Sequence, residues 1–217
     1  MVGFLAMGTL FVLDRRHAAG IALVTMAMAI KATAGVALPF LIWVWARHLS
    51  STLWRNFAKA LAGGLAVFGA TFTAITMLAQ VDLGWFAALR APSMIVNWLS
   101  PPTAVGELAH TVVNLVFTVP AQPFVLVARV LGGLLLATVL VRQWWLAKTG
   151  GADAIRRMTL VLLLTALLSP ATLPWYLTWG FVIAAALPWP SRRLPVVAAT
   201  AVFLVLTYSP NGEDLLY

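Results

Sequence analysis

Apolar residues form long uninterrupted stretches along this chain, separated by short clusters of charge. A helix needs about 20 apolar residues to cross a bilayer, with roughly 17 as the lower limit. The stretches 60–80 and 124–141 satisfy that limit and predict two full spans, and 194–208 predicts a last one. The stretch 1–13 is shorter, and we interpret it as the tail of a span that begins upstream.

Two further stretches, 18–46 and 158–187, lie between basic clusters and are too short for two crossings. Each is interrupted: the first by Lys31-Ala-Thr-Ala-Gly, the second by the proline-containing segment 169–176. Proline removes a backbone donor, and such a break at membrane depth is tolerated where protein or water surrounds it. We therefore predict two broken hairpins. One long tilted helix with a snorkelling lysine is the alternative for the first.

Composition assigns these helices to a membrane. The 217 residues are 62% hydrophobic and 9% charged, whereas soluble domains carry about 25% charged residues. The net charge of +8 lies in short loops and not along one face, which is the positive-inside pattern and argues against nucleic-acid binding. We predict an all-α, multi-pass protein of the plasma membrane, contacting membrane lipids, with 1–217 as a single transmembrane domain. Cysteine is absent, and no spacing of acids and histidines suggests a metal site or another cofactor.

The segment 81–122 is predicted to be a long outer loop at the membrane surface, because it is amphipathic and rich in proline and aromatic residues. A sugar needs a ring to stack on and hydrogen-bonding groups for its hydroxyls. That combination makes substrate-binding candidates of Asn97, Trp98, Ser100 and Thr103. Alternatively, Trp98 is an interfacial anchor, and Ser100-Pro-Pro-Thr103 starts a surface helix.

Charged residues and polar-tipped aromatic residues within or beside the apolar stretches supply the other candidates. A lysine charge is energetically unfavourable among apolar residues. Lys31 therefore either binds a lipid phosphate or simply extends its ammonium group to the membrane interface. Trp175 and Tyr176 present polar-tipped rings at the second break, which is either a cavity shared with Lys31 or a structural kink. Asp82 and Glu107 are the acids of the outer loop, and each is either a general base or simply solvated.

Three of these motifs, in order, resemble the actinobacterial alpha-(1→6)-mannopyranosyltransferases: Lys-Ala-Thr-Ala-Gly-Val-Ala-Leu-Pro-Phe from position 31, Asn-Trp-Leu-Ser-Pro-Pro-Thr-Ala-Val-Gly from 97, and Leu-Ser-Pro-Ala-Thr-Leu-Pro-Trp-Tyr-Leu-Thr-Trp from 168. The resemblance implies a polytopic helix bundle of the GT-C class, and this chain would be its C-terminal part. It also implies a polyprenyl-phosphate-mannose donor and a lipomannan-type lipoglycan acceptor on the extracytoplasmic face.

The mechanism implied by the resemblance is direct transfer with inversion. A carboxylate would deprotonate the acceptor's 6-hydroxyl while Lys31 or Arg90 stabilises the charge on the leaving phosphate. Enzymes of this class keep the catalytic aspartate in the first outer loop, so we expect that acid upstream of Met1, with Asp82 and Glu107 as weaker candidates. Two alternatives stay open: a transporter or flippase built on the broken hairpins, and a non-catalytic membrane subunit.

Overall fold

The computed structural model describes residues 1–81, 100–170 and 172–187, together with positions 195, 198–200 and 202. Throughout these residues the regular structure is helical, which confirms the predicted all-α class. We number the α-helices in chain order: α1 Val2–Leu13, α2 His17–Ile30, α3 Leu38–Arg47, α4 Leu53–Ala79, α5 Pro101–Asn114, α6 Gln122–Leu146, α7 Gly151–Leu168 and α8 Thr178–Ala185. Short 3-10 helices occupy Ala32–Ala37, Ala147–Thr149 and Pro174–Leu177.

Helices α4 and α6 are long and apolar enough to cross a membrane. Both exceed their predicted bounds: α4 begins at Leu53 and not at 60, and α6 continues to Leu146 and not to 141. The predicted spans ended next to the charged residues. A helix nevertheless continues past the hydrocarbon core when its long basic side chains can reach the polar interface. The predicted span 194–208 lies largely outside the described residues.

The first predicted hairpin is confirmed. Lys31 leaves the helical conformation at φ −151° and ψ 116°, and a 3-10 turn then leads into α3. His17, at the start of α2, has its Nε2 atom 2.8 Å from Nδ1 of His48, directly after α3. Since the two ends of this stretch meet, the alternative of one long tilted helix is wrong.

The second predicted hairpin is also confirmed. Helix α7 ends at Ser169 in extended backbone, and the chain resumes in a 3-10 turn followed by α8. A Cβ atom added at Gly180 would lie 3.3 Å from the carbonyl oxygen of Thr159, so α8 packs back along the middle of α7. The break therefore sits where the chain reverses.

The buried core is built around α3, which contacts α1, α4 and α7. More than half of α3 is buried, and the largest of its fully buried side chains are Phe40 and Trp43. In contrast, α4 and α6 bury few of their residues and present apolar side chains outward. That distribution suits a bundle whose long helices face lipid.

Helices α1 and α2 approach closely at two glycines. A Cβ at Gly8 would lie 2.8 Å from the Gly20 carbonyl oxygen and 2.6 Å from the Val24 side chain, and one at Gly20 would lie 2.6 Å from the Gly8 carbonyl oxygen. Small residues allow such backbone contact between apolar helices, where packing replaces the hydrophobic effect. The contact between α1 and α2 therefore depends on both glycines.

Substituting Gly8 with alanine should lower the free energy of unfolding by about 1–3 kcal/mol, the usual cost of overpacking. Gly3→Ala is the matched control on the same helix, because a Cβ there meets nothing within 4 Å and alanine favours helix. Thermal unfolding of the purified protein in detergent measures both variants. Equal midpoints for the two variants would contradict the packing.

The ends of both hairpins form a basic end of the molecule. Arg47 donates from Nε to the carbonyl oxygen of Lys148 at 2.7 Å, and Arg157 pairs with Asp153 at 2.8 Å. The His17 ring stacks on Trp45 with centroids 5.0 Å apart. The first contact joins α3 to the turn after α6, the stacked rings join α2 to α3, and the ion pair lies within α7.

This histidine pair should make stability depend on pH. Burial lowers the pKa of His17 from 6.5 to about 4, aided by His48 and Arg15, and burial also lowers the pKa of His48. Between pH 6.5 and about 4 the unfolded chain therefore binds more protons than the folded one, so stability falls as pH falls through that window. The double variant His17→Gln/His48→Gln should flatten the dependence of the unfolding midpoint on pH. A slope equal to that of the wild type would contradict the assignment.

Candidate anion site at the hairpin breaks

The two breaks meet at Lys31. Its Nζ atom lies 3.2 Å from the centre of the Tyr176 ring and 4.8 Å from that of Trp179. The two rings stack on each other with centroids 4.6 Å apart and planes 25° apart. The geometry therefore brings Lys31 and Tyr176 together, and a cavity shared by the two breaks stays a prediction.

Local sequence explains this meeting. Proline at 174 suits the first position of the 3-10 turn, because its φ is fixed near the helical value and its missing N–H needs no partner there, and the turn runs into α8 at Thr178. Tyr176 and Trp179 are three positions apart, so consecutive turns place their rings on the same side. Trp179 is buried and Tyr176 is half-buried, so the ring pair offers Lys31 a fixed surface.

The charge of Lys31 is not cancelled by any described acid. Within residues 1–81, 100–170 and 172–187 the only ion pair joins Arg157 to Asp153. Cation–π contacts contribute about 0.5–2 kcal/mol but leave the positive charge in place. The buried hydroxyl of Thr33, two positions on, also lacks a hydrogen-bond partner among the described residues. An ammonium and a hydroxyl of this kind suit an anionic ligand.

A polar network surrounds the second break. The Ser100 hydroxyl donates to the Ser169 carbonyl oxygen at 2.7 Å, and the Thr103 hydroxyl donates to that of Pro170 at 3.4 Å. The Thr172 hydroxyl donates to the carbonyl oxygen of Ala166 at 3.0 Å. The helix that ends at the break leaves its last carbonyls without intrahelical partners, and Thr172 bonds one of them, whereas Ser100 and Thr103 bond the two carbonyls that follow the helix.

Sequence reasoning missed Arg129. It lies on α6, about 10 Å from the helix start at 1.5 Å per residue. Its Nε donates to the Thr103 hydroxyl at 3.0 Å and its Nη2 donates to the Pro170 carbonyl oxygen at 3.3 Å. A single arginine inside the apolar stretch 124–141 was the available signal, since such charges usually mark a site.

Some of the other candidates predicted from the sequence lie among the described residues, and the rest lie outside them. Glu107 is half-buried on α5, and Trp175 is 46% exposed beside Tyr176. Ser100 does begin a helix containing Glu107, as one alternative predicted, but its hydroxyl does not cap that helix. Both Ser100 and Thr103 are fully buried, and their proposed contact with sugar stays a prediction. The rest lie outside the described residues: Asp82, Arg90, Asn97 and Trp98.

An apolar cavity of about 370 Å³ adjoins the first break. Its walls come from α2, the 3-10 turn, α3 and α4, with Trp144 from α6. The residues lining it are all apolar: Ile21, Met28, Ala32, Gly35, Leu38, Pro39, Ile42, Phe57, Leu61, Gly64, Leu65, Phe68 and Trp144. Because Leu65 lines the cavity and is 59% exposed, the cavity opens onto the outer surface of α4.

Helical structure, two spanning-length apolar helices and two broken hairpins define the class: a helical membrane protein. Comparison with known families refines this. Residues 102–217 match the MptB C-terminal domain, and residues 1–47 match the alpha-(1→6)-mannopyranosyltransferase N-terminal domain. The chain belongs to this MptA/MptB family of alpha-(1→6)-mannopyranosyltransferases.

Curated relatives agree with the family assignment. The chain is 34% identical to alpha-(1→6)-mannopyranosyltransferase A of Mycobacterium tuberculosis, covering all of this chain and 43% of that protein. It is 29% identical to alpha-(1→6)-mannopyranosyltransferase A of Corynebacterium glutamicum, covering all of this chain and 47% of that protein. The chain thus spans about half the length of these relatives. No solved structure gives a significant match.

Proposed function

We propose that this chain forms part of a membrane mannosyltransferase whose donor is polyprenyl-phosphate-mannose and whose acceptor is an alpha-(1→6)-mannan of a lipoglycan. The observation that carries the proposal is Lys31, held by two stacked rings and unpaired with any described acid. A cation beside aromatic faces suits a phosphate joined to a sugar. The names of the relatives support mannose as that sugar.

The site would act on the departing phosphate. During transfer, the bond from mannose C1 to the phosphate oxygen breaks, and C1 bonds to the acceptor's 6-hydroxyl oxygen. The proton of that hydroxyl passes to a carboxylate, as the sequence resemblance implies. Lys31 would stabilise the negative charge that develops on the phosphate, and stabilisation of developing charge is often the largest catalytic contribution. Arg90 is a second candidate for that role.

The orientation expected from the positive-inside rule would put this site in the outer half of the bilayer. The basic end belongs on the cytoplasmic side by the positive-inside rule. The 14 residues of α2 then carry the chain about 21 Å away from that end before Lys31. A hydrocarbon core is about 30 Å thick, so Lys31 would lie toward the extracytoplasmic face of a multi-pass, GT-C-type protein.

The apolar cavity would accommodate part of the donor's polyprenyl chain. Ala32 lines the cavity and directly follows Lys31, so a lipid held by its phosphate at Lys31 has hydrocarbon space beside it. Along α4 the lining residues run from Phe57 to Phe68, about 16 Å of helix. A chain there would exchange contacts with lipid tails for contacts with the cavity walls, so packing and not the hydrophobic effect would stabilise it.

A transfer assay tests the proposal. The full-length gene product, in lipid nanodiscs, is given polyprenyl-phosphate-[¹⁴C]mannose and an alpha-(1→6)-linked mannose oligosaccharide. We expect radioactive mannose in the oligosaccharide, joined by a bond that an alpha-1,6-specific mannosidase removes. Transfer from GDP-mannose without the lipid-linked donor would contradict the proposed donor. Movement of the lipid-linked sugar across the bilayer without transfer would favour the flippase alternative.

A further inference from the structure

Arg129 connects three parts of the bundle at one point. Its guanidinium on α6 contacts Thr103, on α5, and the carbonyl oxygen of Pro170 at the second break. Thr103 donates to the same carbonyl oxygen, so the three groups form a closed triangle. Thr103 is fully buried and Arg129 is half-buried, so the triangle is inside the protein and not on its surface.

The triangle supplies hydrogen bonds to a segment of backbone that has no regular secondary structure. Pro170 lies two residues after the end of α7 and has no backbone N–H, so its carbonyl oxygen has no partner within the helix. A guanidinium presents donors in a fixed planar arrangement, and so can bond a hydroxyl and a carbonyl at once in one geometry. An arginine here therefore defines where the chain leaves α7.

The position of the break in turn sets the position of the anion site. On the far side of Pro170, Thr172 donates to the carbonyl oxygens of Ala166 and Leu167. The chain is thus fixed on both sides of the break, and the 3-10 turn at Pro174–Leu177 follows directly. Tyr176 belongs to that turn, and its ring is the nearer of the two that hold Lys31.

We propose that Arg129 is a positioning residue for the Lys31 anion site: it fixes the break in the conformation that sets Tyr176 against Lys31. The inference rests on the proposed function, because it assigns Arg129 a part in binding the lipid phosphate. Arg129 acts through the backbone of the break and through Tyr176, and the role requires no contact between Arg129 and the substrate.

A double-mutant cycle tests this inference. The full-length gene product in nanodiscs is titrated with polyprenyl phosphate, and binding is followed by native mass spectrometry. We expect Arg129→Lys to weaken binding at least fivefold, because an ammonium does not reproduce the two-bond geometry. We expect little further loss when Arg129→Lys is added to Lys31→Gln, since both act on one site. Arg142→Lys, at the exposed end of the same helix, is the control and should bind as wild type.

The other outcomes of the binding experiment separate failure of the inference from failure of the proposed function. Additive losses would overturn the inference and make Arg129 an independent ligand of the phosphate. Normal binding by Arg129→Lys beside weakened binding by Lys31→Gln would overturn the inference alone, whereas normal binding by Lys31→Gln would overturn the proposed function as well. Should Arg129→Lys fail to fold, Thr103→Val removes the same hydroxyl link. It should weaken binding in the same direction, and wild-type affinity for that variant would also overturn the inference.

Discussion

Replacing Lys31 with glutamine should lower kcat/KM for mannose transfer by roughly tenfold to a hundredfold. A hydrogen bond to a charged group contributes about 1.5–3 kcal/mol, and each 1.4 kcal/mol is a factor of ten. The loss should appear in kcat as well as in KM, because negative charge on the phosphate grows as the sugar departs. Steady-state kinetics with the lipid-linked donor measures both constants.

Lys148 provides the control for this prediction. Its Nζ atom lies 5.2 Å from the centre of the Trp145 ring, which is the same kind of contact at the basic end of the molecule. Lys148→Gln removes the same charge from the chain but should leave transfer unchanged. Equal losses in the two variants would show a general effect of charge and would remove the reason for assigning the phosphate to Lys31.

Leu65→Trp should raise the KM for a long-chain donor severalfold and leave a short-chain donor nearly unaffected. Leu65 lies on the rim of the apolar cavity and is 59% exposed, so an indole there can fill the space without disturbing the core. The lost stabilisation is the packing of the polyprenyl chain against the cavity walls, which the indole would replace. Donors with full-length and two-isoprene chains are compared in detergent.

The matched control is Leu78→Trp on the same helix. Leu78 is 85% exposed and lies near the other end of α4, away from the cavity. It should leave both donors unaffected. If Leu65→Trp impaired both donors equally, the cavity would hold no part of the polyprenyl chain, and the Lys31 assignment would stand without it.

The hairpins could be predicted because two independent signals coincide in each. Basic clusters on both flanks require the chain to return to one side, and Lys31 or Pro170 supplies the break. The helix ends were less predictable. Lys59 and Arg142 bounded the predicted spans, but both lie within helices that continue past the apolar stretch. A charged residue indicates where the hydrocarbon core of the membrane ends, but the backbone hydrogen bonds of the helix continue beyond it.

The contacts at the site were only partly predictable. The sequence indicated that Lys31 and Tyr176 lie at equivalent breaks, but their contact depends on how two hairpins pack. Arg129 meets Pro170 across 41 positions, and Ser100 meets Ser169 across 69. No local pattern encodes such pairs, because their partners are backbone carbonyls, which carry no sequence signal of their own.

Photo-crosslinking tests the central claim most directly. A polyprenyl phosphate with a diazirine beside the phosphate is bound to the full-length gene product in nanodiscs, irradiated, and its adducts are located by peptide mass spectrometry. We expect adducts within 31–35 and 175–179, the two segments that meet at Lys31, and their loss in Lys31→Gln. Adducts confined to the basic loop 142–157, or unchanged by Lys31→Gln, would contradict binding of the phosphate at Lys31.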